Sequence, residues 1–374
     1  MTKTIRILEI DGGGIRGIFS AQFMKLFCAQ AGIVNIWQAF DIIVGTSIGG
    51  ISALGYAKGL TPDDILELLI SKGPDIFTYK VPPAYITTAK GPVDSATLGY
   101  TLVTPGVNPF IYENIELKKA LTSVLGTTKM FQLKTNVLIT SFSYLGGTPG
   151  SGDYSEVYFP YSSSDTTVKA AIPVHFSNAI LPFTKGQNSL AVDVGLTTSA
   201  APVYFPPVQL SDANDPTNDR WYIDGGLYQN NATALGYTMA KMMFPSTKRI
   251  SILSVGTGIV NVGFDVPITA TYSALPPSLK IAPTNSLPMF ADLLSMTIGG
   301  AQEAVDQQFK YISLYNGIQE QLYYYRFQTV FPPDFPGQLD NVENGFAENL
   351  INCANRQYEV DQLKISAFIQ NAGF

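Results

Sequence analysis

Three short stretches carry residues able to do chemistry together. The first is Gly45-Thr46-Ser47-Ile48-Gly49, a serine with a glycine two places away on each side. Phe40 to Val44 before it is an apolar strand candidate, and Ile48 to Ala57 after it reads as a helix of small and apolar residues ended by Gly59. A serine on such a strand-to-helix turn is held out for attack, and the glycines let strand and helix approach without a Cβ clash. Ser47 then sits at a helix N-terminus, where unpaired N–H groups favour developing negative charge. The second stretch, Asp11-Gly12-Gly13-Gly14-Ile15-Arg16-Gly17, follows an apolar strand candidate and offers three consecutive glycines whose N–H groups can face an oxyanion. The third is Asp224-Gly225-Gly226, behind the short strand Trp221 to Ile223. A nucleophile on one Gly-rich turn and N–H donors on another at the same sheet edge are what acyl transfer requires.

The serine needs a base. A Ser–His–acid triad needs a histidine, and the chain has only His175, in AAIPVHFSNAILP. A single histidine among apolar residues is more often packed and hydrogen-bonded than catalytic. A carboxylate can serve instead if it reaches the hydroxyl directly. Asp224 is the best placed, because it ends a strand and the two glycines after it allow a close approach. Taken alone, Asp-Gly-Gly is an ordinary turn and the serine frame a chance pattern. The dinucleotide reading of Gly12-x-Gly14-x-x-Gly17 is weaker still. It needs an acid at the end of the second strand to hold a ribose, and Asp41 falls at the start of that strand. No Gly-Lys-Ser/Thr follows, so a phosphate-binding P-loop fails.

The elements that must carry these turns alternate strand with helix. Ile18 to Ala31 has helical apolar spacing and a closing Gly32. Thr61-Pro62-Asp63-Asp64 supplies a cap, a first-turn proline and acids for a helix that runs to Gly73. The alternation predicts a parallel sheet with helices on both faces. Lys72 to Pro109 breaks the pattern, being long and rich in Pro, Gly, Thr and Tyr; it reads as a lid over an acyl groove or as small elements of its own. Further strands are expected at Asn136–Tyr144, Glu156–Pro160, Arg249–Val255 and Tyr323–Val330. Further helices are expected at Glu113–Leu125, within Ser189–Pro207, over Phe290–Ile312 and through most of Val342–Phe368. Val266 to Pro288 is a second irregular segment.

Composition narrows the function classes. A net charge of −6 opposes a nucleic-acid partner, which needs a basic footprint. Charged residues are only 14% of the chain, below the usual ~25%. Mean hydropathy is +0.14, which points to extensive burial or to an apolar surface that meets lipid. No run of ~18 apolar residues is present to span a bilayer. The N-terminal MTKTIRILEI enters a strand without the apolar region of a signal peptide, so the expectation is cytoplasmic by default, with a secreted effector as the alternative. Cys28 and Cys353 give neither a disulfide framework nor a metal-binding spacing. No linker or repeat divides the 374 residues, and one domain is expected, with a core over about 4–260 and a mainly helical portion, 261–374, packed on it.

Four motifs in order are similar to those of the patatin-like phospholipase family: Asp11 to Gly17, Gly45 to Gly49, Thr198 to Pro207 (Thr-Ser-Ala-Ala-Pro-x-Tyr-Phe-Pro-Pro) and Asp224 to Gly226. The resemblance covers roughly residues 4–260. It implies a three-layer α/β/α fold with a mainly parallel central sheet, and lipid acyl hydrolysis of phospholipase A type by a Ser–Asp dyad with no metal or cofactor. Carried over, Ser47 is the nucleophile and Asp224 the base. Gly12, Gly13, Gly14 and Arg16 form the oxyanion hole, with the Gly13 and Gly14 amides as donors and Arg16 steadying the loop. The implied partners are a lipid or phospholipid substrate and a transient membrane surface, with a protein activator left open and no nucleic acid. An acyltransferase working through the same acyl-enzyme is one alternative, although such enzymes commonly place a histidine where Thr46 stands. A non-catalytic lipid-binding or storage protein is another, and a dinucleotide-dependent oxidoreductase a third.

Overall fold

A computed structural model describes residues 3–78, 111–144, 172–181, 184–202, 204–212, 215–260, 286–314, 321–332 and 335–374. Most of the irregular segment Lys72–Pro109 (79–109), the strand expected at Glu156–Pro160 and most of the second irregular segment Val266–Pro288 (266–285) lie outside them.

The sheet is built outward from β1 (Ile5–Ile10). It pairs in parallel with β2 (Ile42–Gly45) on one side and β7 (Arg249–Val255) on the other. Beyond β7 lies β8 (Gln321–Phe327), and beyond β2 lies β3 (Asn136–Tyr144), both also parallel. Alternate residues of the central strands are buried on opposite faces. Ile5, Ile7, Ile42, Val44, Ile250 and Ile252 enter one apolar cluster; Leu8, Ile10, Ile43, Leu253 and Val255 enter the other. Burial on both faces explains why these strands read as continuous apolar runs.

One face is covered by α1 (Gly17–Ala31), α3 (Ile48–Lys58), α4 (Pro62–Ile76), α5 (Ile115–Leu125), α6 (Ala191–Thr198) and α10 (Phe346–Ala372). The short α2 (Ile36–Ala39) leads into β2, and α7 (Gly226–Gln229) follows the last antiparallel strand. The other face is covered by α8 (Thr233–Met243) and α9 (Ser286–Leu314). The result is the three-layer α/β/α arrangement that the sequence implied. Helix signals worked as the chemistry predicts. Gly32 adopts φ 67° at the end of α1, and Thr61 and Asp64 form a reciprocal capping box on α4. That helix runs three residues past Gly73, through Pro74 to Ile76, since a proline in the last turn forfeits only one backbone bond.

The antiparallel part decides the site. β4 (Ile172–Ser177) pairs with Leu138–Ser143 of β3. β6 (Asp215–Asp224), paired with β5 (Val208–Asp212), also runs antiparallel to β3, along Ser141–Tyr144. Those residues already have β4 on one edge, so β6 must use the other edge, the one β2 occupies over Asn136–Ile139. Strand β2 is only four residues long and stops at Gly45, opposite Ile139. β6 then takes over the vacant edge and brings Asp224 opposite Ser141, just beyond the end of β2. The sheet is therefore mixed: β3, β2, β1, β7 and β8 are mutually parallel, and β4, β6 and β5 join through antiparallel pairings.

Candidate active site

Ile10 and Gly45 are register partners, so the turns after β1 and β2 leave the sheet side by side. In the second turn Ser47 has φ 54° and ψ −125°; it is the one positive-φ residue other than glycine among the described residues. A non-glycine side chain in this region costs of order 1–3 kcal/mol and persists only where its surroundings enforce it. Here they do. Ser47 N–H donates to Thr198 Oγ1 at 2.9 Å, and Gly49 N–H donates back to the Thr46 carbonyl at 2.8 Å. Buried Thr46 is fixed by a 2.7 Å hydrogen bond with Thr140 and by donating to the Gln229 carbonyl, also at 2.7 Å. Gly49 is obligatory because a Cβ there would overlap the Ile10 carbonyl and stand 2.6 Å from that of Asp11.

Asp224 meets this serine. It is 5% exposed, and its carboxylate accepts from Gly226 N–H at 2.7 Å. Burial pushes its pKa up to about 6, against the pull of the Ser47 side chain and the Gly226 N–H. Asp224 N–H in turn donates to the Ala200 carbonyl at 2.9 Å. Gly225 lets the turn fold down on β3, since a Cβ there would lie 2.7 Å from the Thr140 backbone.

The glycine turn stands against the serine: a Cβ on Gly12 would lie 3.0 Å from Ser47 Cβ. Its peptides are aimed. The Gly12 carbonyl accepts from Thr257 Oγ1 at 2.8 Å and from Asn230 Nδ2 at 3.3 Å. The Gly13 carbonyl accepts from Arg16 N–H at 3.2 Å. In a trans peptide the N–H points opposite to the carbonyl, so the Gly13 and Gly14 N–H groups are turned away from those anchors. No backbone carbonyl among the described residues accepts from them, whereas Ile15 N–H is taken by the Leu339 carbonyl at 2.8 Å. Gly14 adopts φ 57°. Arg16 Nε reaches the Gly13 carbonyl only at 3.5 Å, the outer limit of a hydrogen bond; burial lowers its pKa to about 10.

Ser47, Asp224, Gly12, Gly13, Gly14 and Arg16 all line one cavity of about 860 Å³. Its remaining wall is largely apolar. Ile48 and Ile51 of α3, Leu68 and Leu69 of α4, Leu117 and Leu121 of α5, and Phe205 form one side. Val260, Val330, Phe335 and Leu339 form the other. His175 is not among the lining residues. It lies on β4, across β3 from β2 and β6, with its ring 6.2 Å from that of Tyr228. Asp41 is a neighbour of Lys3 at the opposite end of β2, away from the turns, as its position in the sequence required.

Sequence reasoning missed Asn230 and Thr257. Thr257 carried a usable signal, since Gly256-Thr257-Gly258 is a third Gly-flanked turn, directly after β7. Among the described residues no group of three or more His, Cys, Asp or Glu could hold a metal ion, and no helix is long and apolar enough to cross a membrane.

A strained serine, a buried carboxylate and the glycine turn thus meet at one end of an apolar cavity on a three-layer α/β/α fold. The chain belongs to the patatin-like phospholipase family, whose model matches residues 8–235. It is 28% identical over 277 residues to a cGAMP-activated phospholipase of Vibrio cholerae, covering 69% of this chain and 65% of that protein. It is 27% identical over 245 residues to patatin-like protein 2 of Oryza sativa subsp. indica, covering 62% and 51%. Both alignments thus span less than two thirds of the relative. Among solved structures, human GIVD cytosolic phospholipase A2 aligns over 98% of this chain and 62% of its own, at 10% identity and a TM-score of 0.41.

Proposed function

We propose that the protein is a lipid acyl hydrolase of phospholipase A type, acting through a Ser47–Asp224 dyad on an ester presented at a membrane or micelle surface. Ser47 Oγ attacks the ester carbonyl carbon while Asp224 takes the hydroxyl proton. The carbonyl electrons move onto oxygen, which the Gly13 and Gly14 amides stabilise; loss of one such donor typically costs ~3 kcal/mol in the barrier. Arg16 steadies the loop from the Gly13 carbonyl. Collapse of the intermediate breaks the ester C–O bond, and Asp224 returns its proton to the departing alcohol. Water then attacks the acyl-serine with Asp224 again as base, releasing the fatty acid and restoring the Ser47 hydroxyl. The apolar cavity wall takes the acyl chain.

One observation carries this reading: Ser47, on a strained turn, and Asp224, a buried carboxylate whose pKa burial raises to about 6 against the pull of the Ser47 side chain, line the same cavity. A base with a pKa near the working pH is suited to moving that proton. The test is lipid profiling after incubation with mixed phospholipid micelles. Wild type should release fatty acid and lysolipid, and Ser47→Ala, a small residue that suits the turn, should release neither while keeping its circular dichroism spectrum. Transfer of the acyl group to an added lysolipid acceptor in place of water would identify a transferase. Turnover by folded Ser47→Ala protein would refute the assignment.

A further inference from the structure

Beneath the glycine turn lies a buried ion pair that the proposed reaction does not use. Asp11, the first residue of the turn, is fully buried. Arg326 of β8, two strands away, grips it with both arms: Nη2 to Oδ2 at 2.5 Å and Nη1 to Oδ1 at 3.2 Å. Its side chain is 4% exposed. Gln302 of α9, itself a cavity-lining residue, adds a bond from Nε2 to Oδ2 at 3.1 Å. Between the strands, Ser254 Oγ accepts from Arg326 Nη1 at 2.7 Å and donates to Glu9 at 2.5 Å. Glu9 is fully buried, and burial together with Asp11 pushes its pKa well above the usual range.

A buried pair like this is a poor source of net stability. Apolar side chains of equal volume often stabilise as much or more, because both charges must be taken out of water. What a two-pronged arginine–carboxylate pair supplies is geometry. Asp11 is held by its side chain and by its own N–H, which donates to Val255 at 2.9 Å. The next carbonyl, Gly12, is pinned by Thr257 and Asn230, and the amide after it is one of the two aimed away from those anchors. Asp11 is therefore the root from which the direction of the Gly13 N–H is set. Both side chains that clamp it come from the part of the chain after residue 260, outside the matched family region.

Resting on the hydrolase reading above, we infer that Arg326 and Gln302 are positioning residues for the oxyanion turn, acting through Asp11. Neither touches the reacting atoms. Loosening Asp11 lets the Gly13 amide drift, which weakens transition-state stabilisation and leaves ground-state binding of the acyl chain unchanged. The loss should therefore fall on kcat and spare KM.

The test uses the full chain and a soluble p-nitrophenyl acyl ester, with active sites counted by a fluorophosphonate that labels Ser47. Gln302→Leu keeps the ion pair and should fold; its kcat per titrated site should fall about 3- to 10-fold with KM within about twofold. Arg326→Met should lose about 30-fold or more, with partial recovery in Arg326→Lys. Because both act through one carboxylate, the double variant should be no slower than Arg326→Met alone. A residue that only supports the fold would lower the number of titratable sites and leave the rate per site unchanged. Wild-type kcat per site in Gln302→Leu and in whichever Arg326 variant folds would overturn the inference. If wild type itself neither labels at Ser47 nor hydrolyses the ester, the hydrolase reading fails, which separates the two failures.

Discussion

Replacing Asp224 by Asn should make the protein more stable while abolishing its activity. Asp224 is buried, and that burial raises its pKa to about 6. In the unfolded chain the same group titrates near ~3.9. Below pH ~4 the carboxyl is protonated in both states and costs nothing. Between ~4 and ~6 the native state binds more protons than the unfolded state, so stability falls as pH rises, and above ~7 the penalty is complete. A difference of about two pKa units corresponds to ~3 kcal/mol. Asparagine occupies the same space and still accepts from Gly226 N–H, but has no charge to desolvate. For 374 residues the unfolding entropy is ~0.8 kcal/mol/K, so ~3 kcal/mol corresponds to about 4 °C in Tm. Scanning calorimetry at pH 4.5, 6 and 8 should show the two proteins converging at the acid end and Asp224→Asn ahead at pH 8. A variant less stable than wild type at pH 8, or a Tm difference that ignores pH, would refute the claim that Asp224 is held as a desolvated base.

Three other outcomes follow from the same geometry. Because Asp224 must be ionised to accept a proton, log kcat/KM should rise with unit slope up to about pH 6 and then level; a flat profile down to pH 4.5 would contradict that role. His175→Ala should keep most of its activity, while Asp224→Asn loses about 10²- to 10⁴-fold in ester hydrolysis; collapse of a folded His175→Ala protein would restore a triad. Gly49→Ala puts a Cβ into the backbone carbonyls of Ile10 and Asp11, so it should destabilise by about 2–3 kcal/mol or fail to fold, as read by urea denaturation.

The two glycine turns were legible because their flanks are local. Apolar runs buried on both faces end at Ile10 and Gly45, and each turn feeds a helix whose spacing the sequence displays. The meeting of Asp224 with Ser47 was not legible in that way. Trp221–Ile223 reads as a strand, but nothing in its residues says that it joins β3 on the edge that β2 leaves vacant. That depends on β4 filling the other edge. β4 itself escaped notice because IPVHFS contains Pro173, which lies toward the strand's start, before the short bridge from Phe176 to Lys185 on the edge away from β3. Asn230 and Thr257 act as single side chains on the Gly12 carbonyl, and a single hydrogen bond leaves no periodic trace. Arg326 sits in a strand read correctly as β, yet its partner Asp11 is 315 residues away.

In the proposed reaction Ser47 is a nucleophile activated directly by Asp224. The most direct test is the rate of labelling by a long-chain fluorophosphonate, followed by peptide mass mapping of wild type, His175→Ala and Asp224→Asn. A single adduct should form on the peptide carrying Ser47, at wild-type rate in His175→Ala and at least about 100-fold slower in folded Asp224→Asn. An adduct on another residue, or unchanged labelling of Ser47 in Asp224→Asn, would contradict that activation.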